Sequence, residues 1–191
     1  MLRKIPFILL LTTISFSSFS QIGSNNLFLA KEYSKDISLY KTKYYLMSEV
    51  LGITNTDTKF ELFPLAASNT GEITSLVYFC EAKNKDGLIL GFYGDTWKQG
   101  NQVTAYAFKD FSKTKALEIL AKIEASIETN SKYLSKDNDN HNVYFQYDDV
   151  IFLIYKKSGD NKIRVFWNNF DAEWEFLAFE RTKKRFEKKL D

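Results

Sequence analysis

The sequence contains a single cysteine, Cys80, and this scarcity excludes a disulfide within the chain. Stability must therefore come from packing. Cys80 ends the apolar run 76–80, where a free cysteine usually behaves as a small buried hydrophobic residue. The alternative is a reactive thiol or an intermolecular bridge. Against this alternative, no cationic residue adjoins Cys80 in the sequence to stabilise a thiolate.

The sequence also contains a single histidine, His141, which excludes a zinc site built from two or three imidazoles of one chain. His141 closes the polar stretch 137–141, which places oxygen ligands at alternate positions as a calcium loop does. Asp137, Asp139 and His141 are therefore the candidate metal ligands. The match fails at the required glycine, which is Asn142 here, and it lacks the final glutamate. The alternative is a solvated connection rich in turn-forming residues.

Catalytic signatures are missing as well: the sequence has no phosphate-binding glycine loop, nucleophile elbow or dinucleotide fingerprint. A nucleophile pair of Cys80 and His141 is formally open, but a cysteine inside a strand rarely reaches the helix terminus that activates a thiolate. Two carboxylate pairs have ordinary places in a hairpin turn and at a helix start, namely Asp148 with Asp149 and Glu173 with Glu175. We therefore expect no catalytic residue and no cofactor.

A surplus of positive charge is absent once the amino terminus is set aside. Residues 1–20 have the parts of a secretory signal peptide, with Arg3 and Lys4, the apolar stretch 5–14 and small residues up to Ser20. That stretch is far shorter than the ~20 residues of a membrane-spanning helix. Because Arg3 and Lys4 are the only charges removed, residues 21–191 carry 24 basic and 24 acidic residues. The sequence predicts a soluble exported protein, periplasmic or secreted, with no transmembrane span and no general attraction to nucleic acid.

What is present is a chain of apolar runs that predicts one α+β domain over residues 21–191. Three of the runs, Val143–Tyr147, 150–155 and 163–167, are separated by turn-forming residues and predict an antiparallel meander. The middle run is apolar on both alternating faces, so we expect it to be central and covered on both sides. Earlier strands are predicted at 60–63, 73–80, 88–93 and 103–108.

Three helices are expected. The clearest begins at Ser112, a good cap, and has an apolar face of Ala116, Ile119, Leu120, Ile123 and Ile127. An earlier helix is predicted to stop near Gly52 and to have one face made of Ile37, Tyr40, Tyr44, Met47 and Leu51. A last helix is expected to start at the cap Asp171, although residues 174–179 are aromatic enough for a strand.

The expected fold is a single antiparallel sheet of about seven strands, with the two long helices on one face. The halves 73–134 and 142–190 resemble a duplicated βββα unit. The tripeptides 77–79 and 143–145 open the halves with Val-Tyr-Phe, and both 108–112 and 167–171 contain an aromatic, a Phe and a cap residue. The alternative is that any strand-to-helix transition in an aromatic-rich chain looks like this.

The predicted function is the non-catalytic binding of a protein or a cell-envelope component. It rests on the export signal, the missing catalytic motifs and the abundance of aromatics, with 17 phenylalanines, 11 tyrosines and three tryptophans. A first alternative is a small-ligand or glycan-binding module in which Tyr93 and Trp97 stack on a flat ligand from a glycine-flanked loop. The interpretation we favour for these two rings is that they cover the hydrophobic edge of the sheet, because a small domain has much apolar area to cover. A second alternative is a hydrolase-type enzyme that uses Cys80 or carboxylates.

Overall fold

The computed structural model of the protein describes residues 39–98, 101–136 and 140–190; at 95–98 and 101–104 it describes the backbone alone. The chain divides into two compact units, Met1–Leu39 and Tyr40–Asp191, and the fold given below is that of the second. The predicted signal peptide, residues 1–20, lies outside the described residues. Export therefore stays a prediction.

The described chain forms two four-stranded antiparallel sheets, each followed by a long helix. Helix α1 is α-helical over 39–45 and π-helical over Leu46–Leu51. Sheet A consists of β1 (Glu61–Ala67), β2 (Ile73–Cys80), β3 (Lys85–Lys98) and β4 (Asn101–Ser112). Sheet B consists of β5 (Val143–Tyr147), β6 (Val150–Lys157), β7 (Asp160–Trp167) and β8 (Phe170–Glu175). The remaining helices are α2 (Lys113–Thr129), the short α3 (Ser131–Leu134) and α4 (Phe176–Leu190).

The α+β class is confirmed, but the single sheet of about seven strands is wrong. The chain repeats the order ββββα, with one more strand in each unit than predicted. The missed strand of the second unit is β8, because Asp171 lies within it and is not a helix cap. Phe170, Ala172 and Trp174 are buried at alternate positions, which is the period of a strand. The preceding Asn168-Asn169 pair has positive φ at both residues and forms the hairpin turn to β8.

One hydrophobic core joins the two sheets and the two long helices. Helix α2 buries the five apolar residues that the sequence predicts for it, from Ala116 to Ile127. Helix α4 packs Phe179 edge-on against Trp174 of β8, with 5.4 Å between the ring centroids. Phe92 of β3 contacts Phe170 of β8 at 6.0 Å, so the sheets meet through these side chains. At the surface, Lys183 of α4 bonds Glu124 of α2 at 3.3 Å, and the long helices are therefore neighbours.

Helix α1 covers the other face of sheet A, but with a different side from the one predicted. Its buried residues there are Leu46, Val50 and Leu51, which pack with Tyr78, Cys80 and Ile89. Tyr40 and Tyr44 of the predicted face are each 69% exposed, and Ile37 lies outside the described residues. Thr42, Leu46 and Val50 are buried at a spacing of four, so the helix is amphipathic but a different stripe of its surface packs on the sheet. Sheet A is thus covered on both faces.

Candidate functional site

The most distinctive surface of the protein is the outer face of sheet B, which points away from the core. Side chains alternate along β6, so that Val150, Phe152 and Ile154 are buried in the core. The intervening residues Ile151, Leu153 and Tyr155 point the other way. We define the outer face of sheet B as Tyr144, Ile151, Leu153, Tyr155, Arg164 and Phe166.

Strand register brings these side chains together. Tyr144 on β5 lies opposite Leu153 on β6, which in turn lies opposite Arg164 on β7. Ile151 lies opposite Phe166 in the adjacent row. Side chains directly opposite each other on one face of an antiparallel pair are close enough to touch. The β5–β6 half of the face is therefore an apolar patch of Tyr144, Ile151, Leu153 and Tyr155, with one polar residue, Gln146, opposite Ile151.

The β7–β8 half of the same face is charged and ordered by ion pairs. Arg164 Nε donates to Asp171 Oδ1 at 2.6 Å, and Lys162 Nζ donates to Glu173 Oε1 at 3.2 Å. The hydrogen bond from Arg164 to Asp171 raises the pKa of the Arg164 guanidinium above its ordinary value, although partial burial opposes this. Both bonds are diagonal between the strands. The bond to Asp171 holds the Arg164 guanidinium at the border of the apolar patch.

The outer face of sheet B is uncovered within the described part of the chain. Tyr144 is 75% exposed and Ile151 is 40% exposed. The elements that pack on sheet B meet its inner face, as Lys122 of α2 does over the Phe145 ring and Phe179 of α4 does against Trp174. The prediction that β6 is covered on both sides is therefore wrong. The doubly covered strands are β2 and β3 of sheet A.

The composition of this face suits binding more than chemistry. Tyrosine, phenylalanine and arginine are enriched at the centres of protein interfaces, where each gives a large contact area. The face contains neither a histidine nor a cysteine, and its arginine is held in an ion pair. Sequence reasoning found these residues but assigned them to a buried interior, because an apolar strand covered on both sides has the same pattern as an apolar strand with a binding face.

The segment that contains Tyr93 and Trp97 is not a loop, as predicted, but part of a strand paired with β4. Both residues lie on β3, with Tyr93 opposite Tyr106 and Trp97 opposite Gln102 of β4. The Tyr93 ring packs on the Tyr106 ring at 4.7 Å, and Lys41 of α1 lies 5.0 Å from the same Tyr106 ring. The Trp97 side chain lies outside the described residues. Ligand binding by Tyr93 and Trp97 stays a prediction.

The predicted metal loop is described only in part, because Asp137 and Asp139 lie outside the described residues. His141 packs edge-on against Tyr133, with 4.7 Å between the rings, and its Nδ1 is buried without a hydrogen-bond partner in the described structure. Among the described residues, no group of three or more histidines, cysteines and carboxylates is arranged to hold a metal ion. Cation binding by Asp137, Asp139 and His141 stays a prediction.

The remaining carboxylates that the sequence singles out form ion pairs or lie on strand β8. Asp149, in the β5–β6 turn, lies 2.5 Å from Lys109 Nζ of β4 and accepts a hydrogen bond from the Trp167 indole at 2.8 Å. The bond from Lys109 is the main reason that the pKa of Asp149 is lowered. Asp148 pairs with Lys115 of α2 at 2.7 Å. Glu173 and Glu175 lie on β8, so their predicted place at a helix start is wrong.

Cys80 is 2% exposed, and its thiol donates to the Lys59 carbonyl at 3.4 Å. We expect a thiol reagent such as 5,5′-dithiobis(2-nitrobenzoate) to leave the folded protein unmodified and to label one thiol per chain after denaturant is added. The readout is unambiguous because Cys80 is the single cysteine. Rapid labelling without denaturant would show that the thiol is accessible and would revive the enzyme alternative.

The fold defines a two-sheet α+β protein in which a ββββα unit occurs twice. No protein-family model, curated protein or solved structure matches the chain. Within the described residues, no helix combines the length and the apolar character needed to cross a membrane.

Proposed function

We propose that this protein is a non-catalytic binding domain that holds a partner protein on the outer face of sheet B. The single observation behind the proposal is the exposure of Tyr144 and Ile151 on a sheet whose other face packs against the core. Contiguous apolar patches of this kind are rare on proteins that bind nothing, since leaving such a surface in water is unfavourable.

Sheet A suggests the kind of partner. The corresponding outer face of sheet A is covered by α1, which contributes Leu46, Val50 and Leu51 to the contact. The two sheets have the same number and order of strands, but sheet B has no such helix among the described residues. An amphipathic helix of a partner would bury the apolar β5–β6 half in the same way. Its acidic residues would meet Arg164 at the border of the patch.

Site-specific cross-linking tests this proposal. With p-benzoylphenylalanine in place of Tyr144, we expect illumination of cells that naturally make the protein to give a discrete adduct of higher mass. The matched control is the same probe in place of Tyr133 on α3, which is 42% exposed and is not part of the outer face of sheet B. Since a charge at the centre of an interface disrupts it, the added substitution Ile151→Lys should reduce the Tyr144 adduct by about tenfold or more.

Equal adducts from both probe positions, or a Tyr144 adduct that survives Ile151→Lys, would contradict the proposal. An adduct with twice the mass of the chain would identify the partner as a second copy. Export to the periplasm or the medium, the second part of the predicted function, rests on residues 1–20 and is tested by locating the protein in cell fractions.

A further inference from the structure

A small acidic pocket lies between α1 and sheet A, and the binding proposal does not use it. Its volume is about 300 Å³, and its lining includes Glu49, Tyr78, Lys85, Asp86 and Asp110. We call it the Tyr78 pocket. Three carboxylates thus meet at one depression, next to the carboxyl-terminal end of α1, where the helix dipole adds further negative potential.

Tyr78 gives the pocket its second feature. The residue is 3% exposed, yet its hydroxyl makes no hydrogen bond within the described part of the chain. The hydroxyl lies over Gly87, 2.9 Å from the position that a Cβ would take there, and Tyr78 itself lines the pocket. The one buried side-chain nitrogen or oxygen left unpaired by the described residues is His141 Nδ1, so the Tyr78 oxygen itself reaches solvent, and a ligand in the pocket can supply its hydrogen-bond partner. Burial and the charges of Asp110 and Asp86 raise the pKa of Tyr78 to about 12, so the group is a neutral hydroxyl at ordinary pH.

Two lysines offset part of the acidic charge of the pocket and leave its three carboxylates with a net excess of one negative charge. The Lys85 ammonium donates to the Val50 carbonyl at the end of α1. Lys113 lies 3.9 Å from Asp86, near the limit of an ion pair. Asp110 accepts a 2.6 Å hydrogen bond from the Tyr45 hydroxyl, which is a neutral donor. One tyrosine and three carboxylates therefore line the pocket, together with Lys85.

We propose that the Tyr78 pocket binds a small organic amine through its ammonium group. An ammonium has three donors, which match the Asp86 and Asp110 carboxylates and the Tyr78 oxygen. The pocket volume is at the lower end of the range for small-molecule sites. A metal ion fits less well, since the carboxylates of the described residues are not arranged as a metal-ligand group.

Isothermal titration with 1,5-diaminopentane tests the proposal, with 1,5-pentanediol as the uncharged control of equal length. We expect one diamine to bind per chain and the diol to give no heat of binding. Added salt should lower the affinity for the diamine, because it screens the charges. Asp110→Asn and Tyr78→Phe should each weaken binding by about tenfold, because hydrogen bonds to a charged group are among the stronger ones. Asp160→Asn, at the start of β7, is the control carboxylate and should bind the diamine as wild type does.

A second measurement does not depend on any variant folding. In the wild-type protein, the diamine should shift the backbone amide resonances of Tyr78, Asp86 and Asp110 and leave those of sheet B unchanged. The proposal is overturned if the diamine does not bind, if the diol binds equally well, or if the shifts are confined to other residues. It is also overturned if folded Asp110→Asn or Tyr78→Phe binds the diamine as well as wild type does. Its failure would leave the outer face of sheet B untouched, since the two sites share no residue.

Discussion

Phe152→Ala should lower the free energy of unfolding by about 3–5 kcal/mol, whereas Ile151→Lys, at the next position of β6, should change it by less than about 1 kcal/mol. Phe152 is fully buried and stacks on Phe145 at 5.2 Å between ring centroids. Its truncation removes apolar contacts and leaves a cavity. Ile151 lies on the exposed side of the same strand, where a lysine keeps its ammonium in water. Urea unfolding followed by circular dichroism measures both values.

The contrast between these two neighbours is the sharpest test of the fold that underlies the proposed function. If the protein itself covered both faces of β6, as its sequence pattern predicts, Ile151→Lys would bury an unpaired charge and cost several kcal/mol. A large loss at both positions would therefore show that the outer face of sheet B is not free. A small loss at both would place Phe152 outside the core.

Gly87→Ala should be the most damaging single methyl addition at a described glycine of sheet A. Gly87 needs space more than conformational freedom, since a Cβ there would lie 2.1 Å from the Phe111 carbonyl oxygen and 2.9 Å from the Tyr78 hydroxyl. The carbonyl is backbone in the paired strand β4 and cannot rotate away as a side chain does. We expect a loss of about 1–3 kcal/mol or more from overpacking.

Gly94→Ala is the matched control, because it lies on the same strand and a Cβ there would meet nothing within 4 Å. Its effect should stay within about 0.5 kcal/mol. Thermal or urea unfolding of the two variants side by side checks the difference. Equal stability of the two would mean that β3 and β4 are farther apart at Gly87 than described, and the position of the Tyr78 hydroxyl would need revision with it.

Local patterns in the sequence predict local structure well in this protein. The helical spacing from Ala116 to Ile127 identifies α2 and its buried face, and the apolar context of Cys80 predicts its burial. Both predictions succeeded because they need only the pattern of apolar residues within one helix or one strand. The predicted helix start at Asp171 was wrong because aspartate is a common helix cap, while the alternating burial of residues 170–175 is that of a strand.

The candidate site was harder to predict, since its defining property is the absence of a neighbour. Residues 150–155 look the same whether a second layer covers Ile151 and Leu153 or leaves them exposed. That outcome depends on how far each sheet extends and where α1 lies, and residues distant in sequence determine both. The Tyr78 pocket is a similar case, because Tyr78, Asp86 and Asp110 lie on three strands and only their register brings them together.

One contact between the sheets also bears on how the protein avoids aggregation. Glu72, in the turn between β1 and β2, accepts a 2.6 Å hydrogen bond at Oε2 from the backbone amide of Glu173. Glu173 lies on β8, an edge strand of sheet B, and unpaired edge amides are the groups through which one chain adds to another. The carboxylate satisfies one of these donors and places a negative charge beside the rest. Strand addition to sheet B is therefore disfavoured at β8, which leaves β5, beside Tyr144, as the edge where a neighbouring chain meets least opposition.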